Sequence, residues 1–480
     1  MLRPWKGGRT VAYHLAVDIG ASSGRHILGW LEGGLLRTRE VYRFENKAER
    51  KRGRLCWGLE ALGREVIRGL ARCRELGHVP ETVGVDTWAV DFALLDGKGQ
   101  ILGDTVAYRD SRTQGMDLLA EQLVSPQELY RRTGIQKQIF NTLYQLLAVK
   151  AQEPELLDQA ESLLLVPDYL HFLLTGKRSQ EYTNATTTGL VSGEGKDWDR
   201  ELLKKLGLPD RLFGPLSLPG TELGSLRPAL REELGFDCRV VLPATHDTGS
   251  AFLAVPESGG HWATLSSGTW SLLGLELPHP ILTEVSRERN FTNEGGYQYR
   301  FRYLKNIMGL WMIQNLRREF GSPQGLPGFG ELSRWAREAG DFPSRVEVDH
   351  QSFLAPASMA QAVGGFCRRT GQPVPETPGE LLSCVYHSLA GSYARTVQEL
   401  EDLTGRRLSG IHIVGGGSQD QYLNQLTANA CGLPVTAGPT EGTALGNLLV
   451  QMIAAGELKD LEEARKAIGR SFQIKEVLPC

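Results

Sequence analysis

Apolar positions recur along the chain with two periods, and the way the periods alternate predicts the fold class. "LAVDI" is a nearly unbroken apolar run carrying one aspartate, Asp18, and a Gly/Ser turn follows it at once. "RHILGWLEGGLLRTREVYRFE" then alternates through a Glu-Gly-Gly break into a second run of branched and aromatic residues, which predicts a hairpin rather than a helix. "WGLEALGREVIRGLARCREL" (Trp57 to Leu76) switches to helical spacing at Leu59, Leu62, Val66, Ile67 and Leu70. "TVGVDTWAVDFALLDGKGQIL" returns to strand, turn and strand. Helices are predicted in "DYLHFLLTG", "DWDRELLKKLG", "GELLSCVYHSLAGSYARTVQELEDLTG" just after Pro378, and a closing "TALGNLLVQMIAAGE". Strands are predicted in "RVVLPATHD" and "SGIHIVGGG". Hairpins mixed with helix crossovers make this an α/β protein with mixed sheets flanked by helices.

One pattern occurs twice. "LAVDIGASSGRHILG" (Leu15 to Gly29) and "HWATLSSGTWSLLG" (His261 to Gly274) both read as apolar strand, tight Ser/Gly turn, apolar strand, near the start of each half. At 480 residues the chain exceeds the roughly 250–300 at which one hydrophobic core stops growing, so two domains are expected, 1–250 and 251–480, with no long linker between them.

Composition narrows the functional classes. Lys and Arg number 53 against 56 Asp and Glu, a formal charge of -3, so no nucleic-acid partner is implied. The basic cluster Glu49–Arg54 lacks interleaved aromatics and reads as a solvated loop. "MLRPWKGGRTVAY" has no apolar core of signal-peptide length, and no stretch approaches the roughly 18 apolar residues of a membrane span. A cytoplasmic location, no membrane contact and no obligate protein partner are expected. Seven cysteines form no C-x-x-C pair, and ten histidines show no ligand spacing, which argues against a disulfide scaffold and a protein-bound transition metal.

The opening turn invites a phosphate. It lacks the G-x-G-x-x-G and G-x-x-x-x-G-K-[ST] spacings, has no lysine, and precedes a strand rather than a helix. A hairpin clamp remains: successive N–H groups from Ala21 to Arg25, the Ser22 and Ser23 hydroxyls, Gly24 and the Arg25 charge, with Asp18 in reach of a Mg²⁺ ion or its water shell. An ordinary hairpin turn is the plain alternative. "LSSGTW" offers Ser266, Ser267 and Thr269 as a facing clamp, so that two domains would grip one nucleotide. Gly415, Gly416 and Gly417 lead toward a helix and would let a ligand approach closely. In "LPATHDTGSA", Asp247 between His246 and Thr248 is either a general base for phosphoryl transfer or a helix cap. Asp86, Trp88, Asp91, Arg109, Asp110 and Arg112 suit a polyhydroxylated sugar, or else a buried tryptophan with ion pairs.

Taken together, "VDIGASSGR", "DTWAVDFALLD", "VAYRDSRT", "FNTLYQL", "THDT", "LSSGTWSLLG", "TNEGG", "LKNIMGLW" and "HIVGGG" resemble the FGGY family of carbohydrate kinases in order and over nearly the whole chain. The resemblance implies two actin-like (ribonuclease H-like) domains closing over a cleft that holds nucleotide and sugar. It implies MgATP as phosphoryl donor and a small ketose as acceptor, L-rhamnulose at its 1-hydroxyl before L-fuculose or xylulose. An actin-like ATPase or a non-catalytic sugar sensor would share the clamps without needing Asp247. By position, Ala21 to Arg25, Thr269, Gln314 and Gly416 are implied to bind ATP. Ala89, His246, Asp247, Thr248 and Asn306 are implied to contact sugar, with Asp247 as base and Asp18 near the metal. Ala89 departs from the family pattern, which has glycine there. Cys367 and Cys384 are expected to be free thiols.

Overall fold

In the computed structural model, residues 11–256, 261–323 and 325–480 are described. Most of the basic N-terminal stretch read above lies outside them. Strand β1 (His14–Ile19) is buried at all six positions, because its sheet is covered on both faces. With β2 (Ser23–Glu32), β3 (Leu35–Glu45), β4 (Thr82–Thr87), β5 (Glu222–Ser225) and β6 (Arg239–Val241) it builds a six-stranded sheet in the order β3-β2-β1-β4-β6-β5. Strands β1, β4 and β6 run parallel, and β2, β3 and β5 join antiparallel.

The second half repeats this. Strands β7 (Trp262–Ser267), β8 (Trp270–Leu277), β9 (Thr292–Gly295), β10 (Phe301–Met308), β11 (Gly410–Val414), β12 (Val435–Ala437) and β13 (Lys475–Val477) order as β9-β10-β8-β7-β11-β12-β13. Apart from the extra edge strand β9, spatial order and orientation match the first sheet, with β7, β11 and β12 parallel and β8, β10 and β13 antiparallel; the connection differs at one edge, where β5 precedes its neighbour β6 but β13 follows its neighbour β12. The two similar hairpins noted in the sequence, β1–β2 and β7–β8, occupy equivalent places. This is the duplicated actin-like architecture.

Helix α1 (Leu59–Glu75) buries Leu59, Leu62, Val66, Leu70 and Cys73 at helical spacing against the first sheet. Helix α2 (Asp247–Leu253) follows β6, and α3 (Trp311–Glu319) follows β10. Helix α4 (Pro378–Thr404) is the spine of the second core. Its start carries a capping box, Thr377 accepting from Glu380 N–H while Glu380 accepts from the Thr377 N–H, with Pro378 in the first turn; Gly405 ends it at φ +66°. Cys367 and Cys384 are buried in that core as free thiols.

Helix α5 (Gln421–Cys431) does not begin at the triple glycine, as the sequence suggested. A short 3-10 turn, Gly416–Gln419, intervenes, and Asp420 caps α5. Nor is α6 (Gly442–Ala454) the closing helix, since α7 (Leu461–Ser471) and β13 follow. Helix α6 leaves the second half and packs Ala444 and Leu448 on Ala16 and Ile27 of the first sheet. A buried polar seam fixes it there: Gln451 Nε2 donates to Leu15 O at 3.0 Å, and Asn447 Nδ2 donates to Gly84 O at 3.1 Å and Asp86 Oδ2 at 2.6 Å. Buried amides of this kind are costly to leave without partners, which locks the register of helix on sheet.

Candidate active site

Between the sheets opens a cleft with a cavity volume of about 340 Å³. It lies beyond the carboxyl ends of the parallel strands of both halves, where chain ends and helix starts leave backbone groups free for a ligand. On the first side, Ile19 pairs with Gly24 so that Gly20–Ser22 make the turn. Gly20 N–H donates to Ser23 O at 2.9 Å, and Asn46 braces the turn from outside, Nδ2 to Gly20 O at 2.8 Å. Ala21, Ser22 and Arg25 line the cleft; Ser23 and Gly24 do not. Gly24 has a packing reason: a Cβ there would lie 2.1 Å from Phe44 Cζ. On the second side Ser266, Ser267, Thr269, Gly415 and Gly416 line the cleft. Gly415 (φ +85°) and Gly417 let this loop lie against Ser267, whose Oγ would meet a Cβ on Gly417 at 1.9 Å. Gln314, on α3, is not part of the wall.

At the floor, Asp18 on β1 and Asp86 on β4 are register partners, and Asp247 opens α2 beside them. Arg25 donates to Asp18 Oδ2 through Nε (2.9 Å) and Nη2 (2.7 Å), and its Nη1 pairs with Glu441 ahead of α6. Asp18 is therefore neutralised on one oxygen by protein. Asp86 is fully buried, and its Oδ1 has no hydrogen-bond partner. Burial first, then the Asp18 charge, pushes its carboxyl well above the ordinary range. Asp247 is also raised, mainly by burial, with Asp18 adding to it and His246 and Thr248 opposing. Its carboxylate accepts Thr248 N–H at 2.6 Å, and its side chain is still 33% exposed to the cleft. His246, not Asp247, holds the cap position of α2. No group of three or more His, Cys, Asp or Glu among the described residues is placed to hold a metal ion.

The remaining wall comes from a turn and an insertion. Ala89 O accepts Asp91 N–H at 2.9 Å across Val90, which sits at φ +68°, strained for a β-branched residue. The strain is held by Thr142 Oγ1, which donates to Val90 O at 2.7 Å, and it presents Trp88, Ala89 and Val90 to the cleft. Asp91, Asp110 and Arg112 instead serve the scaffold. Asp91 accepts from Trp57 Nε1, Trp88 Nε1 and Gln145; Asp110 caps a 3-10 turn; Arg112 is buried against Phe92 and bonds Gln145. Arg109 stacks on Trp311 rather than entering the cleft. His246, Thr248 and Asn306 do line it, and Asn306 Nδ2 donates to Gln136 Oε1 at 2.9 Å across the two halves. Gln136, Phe140, Asn141, Trp270 and Glu294 are wall residues that sequence reasoning did not single out. The signal available was local: Phe140 and Asn141 in "FNTLYQL", Glu294 in "TNEGG", and an aromatic in the second turn.

The chain matches the FGGY family of carbohydrate kinases, N-terminal domain, over residues 13–254, and the C-terminal domain of the same family over 263–455. It is 48% identical to a rhamnulokinase of Halalkalibacterium halodurans over 96% of this chain and 98% of that one. It is 42% identical to the rhamnulokinase of Bacillus subtilis, over 97% and 95%. Among solved structures, a gluconate kinase from Lactobacillus acidophilus superposes with a TM-score of 0.79 at 17% identity, covering 98% of this chain and 94% of that one. A xylulose kinase from the same organism gives 0.77 at 17%, with the same coverage. With two matched domains, two sheets of similar strand arrangement and a carboxylate-floored cleft between them, the chain belongs to the FGGY family of carbohydrate kinases.

Proposed function

We propose that this protein transfers the γ-phosphoryl group of ATP to the 1-hydroxyl of L-rhamnulose, giving L-rhamnulose 1-phosphate and ADP. The single observation that carries the reading is Asp247: a carboxylate at the floor of a two-sided cleft, partly open to it, facing clamps from both halves. The relatives at 42–48% identity support the choice of sugar.

In this reading the turn Gly20–Ser22 and the facing Ser266–Thr269 turn hold the phosphates through backbone N–H groups and hydroxyls, with Gly416 beside the nucleotide. Arg25 fixes Asp18 in place. His246, Thr248, Asn306 and Ala89 orient the ketose, and Asp247 accepts the hydroxyl proton as oxygen attacks phosphorus. The residues present fit a hydrated Mg²⁺: Asp18 keeps one oxygen free at the cleft, and Asp247 stands on the same wall. When bound, the ion would offset charge on the β- and γ-phosphates. Closure of the two halves excludes water, so ATP hydrolysis without sugar is slow.

ADP release coupled to a dye, across L-rhamnulose, L-fuculose and xylulose and beside Asp247→Asn, tests this. L-rhamnulose should lead the panel and the variant should lose about 10²–10⁴-fold in kcat. No response to any ketose would reject the kinase; a lead by L-fuculose or xylulose would reject the sugar; full activity in the variant would reject Asp247 as base.

A further inference from the structure

Glu294, at the third position of β9, has an arrangement that the sequence gives no reason to expect. Its side chain is 7% exposed, lines the cleft, and ends in a buried oxygen, Oε2, that accepts no well-directed hydrogen bond although His246 Nδ1 lies 3.3 Å from it. Arg302, 1% exposed on the neighbouring strand β10, lies 3.1 Å from that oxygen. Yet its N–H groups point elsewhere. Nε and Nη2 donate to Gly295 O at 3.1 and 2.9 Å, and Nη1 and Nη2 both donate to His246 Nδ1 at 3.2 Å. The guanidinium therefore supplies charge to Glu294 without satisfying it. Although burial acts in the other direction, Arg302 and then His246 keep the Glu294 carboxyl below its usual range, so it is an anion.

The same contacts bear on the histidine. Arginine has donors only, and two of its N–H groups at 3.2 Å favour His246 Nδ1 as acceptor over a proton shared with Glu294 Oε2 at 3.3 Å, which puts the ring proton on Nε2, 3.4 Å from Asp247 Oδ1. The imidazole of His246 thus stands between two carboxylates at the cleft, Asp247 at 3.4 Å from Nε2 and Glu294 at 3.3 Å from Nδ1. A buried anionic oxygen without a donor is costly unless a ligand supplies one. A ketose has such donors next to its reacting hydroxyl.

We infer that Glu294 is a specificity-determining residue that accepts a hydrogen bond from a sugar hydroxyl other than the one phosphorylated, and that Arg302 is the positioning residue that holds both Glu294 and the His246 tautomer. The inference rests on the kinase reading above.

The experiment crosses residue with hydroxyl. Wild type, Glu294→Gln and Glu294→Ala are assayed at saturating ATP on the ketose that leads the panel and on its single deoxy analogues. Activity of wild type on the parent ketose is read first, so failure of the kinase reading is seen separately. Wild type should lose about 10²-fold or more in kcat/KM on one deoxy analogue. Glu294→Ala should lose a similar factor on the parent ketose and nothing further on that analogue, with KM for ATP within twofold. ADP binding and cooperative thermal unfolding check that each variant is folded. Equal losses on every sugar, or a parallel rise in KM for ATP, would overturn the inference, as would unchanged kcat/KM. Arg302→Lys retains the charge but not the fork, and should raise KM for the ketose more than it lowers kcat; a loss confined to stability would make Arg302 structural only.

Discussion

Asp18 and Asp247 line the cleft floor with Asp86 buried behind them, and protein cations balance only part of that charge: Arg25 serves Asp18, while Asp86 has an amide, Asn447, on one oxygen and no hydrogen-bond partner on the other. Burial raises the Asp86 carboxyl, so the unfolded chain ionises this group at lower pH than the folded one does. Its contribution is therefore a penalty that is absent below the unfolded value and grows as pH rises through the folded value. Asp86→Asn, which retains the acceptor for Asn447, should raise the melting temperature at neutral pH by roughly 2–4 °C, a gain that vanishes on acidification through the carboxylate range. A lower melting temperature at pH 7 would contradict this. Asp247 is raised as well, and a base must be ionised to work. The acid limb of kcat/KM for ketose should lie above the roughly 3.9 of an unperturbed aspartate, and a limb at or below that value would show that Asp247 does not govern the profile.

Helices α2 and α6 come from different halves and meet where neither can move. A Cβ on Gly446 would stand 1.8 Å from Ser250 O, a backbone atom of α2 three residues past Asp247. Gly446→Ala should push α2 away, costing about 1–3 kcal/mol of stability and lowering kcat, because Asp247, the proposed base, rides on that helix. Unfolding curves and kcat measured together check it; wild-type values in both would mean that the crossing relaxes freely. Helix α4 offers the contrast. Thr377→Ala breaks a capping box far from the cleft and should cost about 0.5–2 kcal/mol with kcat and both KM values unchanged. The ends of α4 were legible because Pro378 and Gly405 punctuate it locally. The destination of α6 was not, because its apolar residues look alike whether they face their own sheet or the other one.

For the molecule as a whole, side-chain links join the two walls of the cleft, among them Arg25 to Glu441 at one level, Gln136 to Asn306 at another and His246 to Arg302 at the floor. Ligands that touch both walls should draw the halves together. In small-angle scattering, ketose with a non-hydrolysable ATP analogue should lower the radius of gyration more than either alone, and an unchanged radius would argue that the cleft is already closed. The amino-acid sequence by itself determined the α/β class, the two similar hairpins with their Gly/Ser turns, and an aspartate, Asp247, just past an apolar strand, since each is written in a short window: a period of two or of helical spacing, a Gly/Ser turn, a polar residue where an apolar run ends. Tertiary structure alone decided which charges are available. Asp91, Asp110 and Arg112 are consumed by scaffold contacts, Gly24 is a glycine for Phe44, Gln314 is not among the residues of the wall, and Glu294 becomes an unsatisfied acceptor because Arg302, on the next strand, turns its N–H groups to His246 and Gly295. Such outcomes depend on which side chains distant in sequence meet across a buried space, where one donor pointed elsewhere changes what a carboxylate can do.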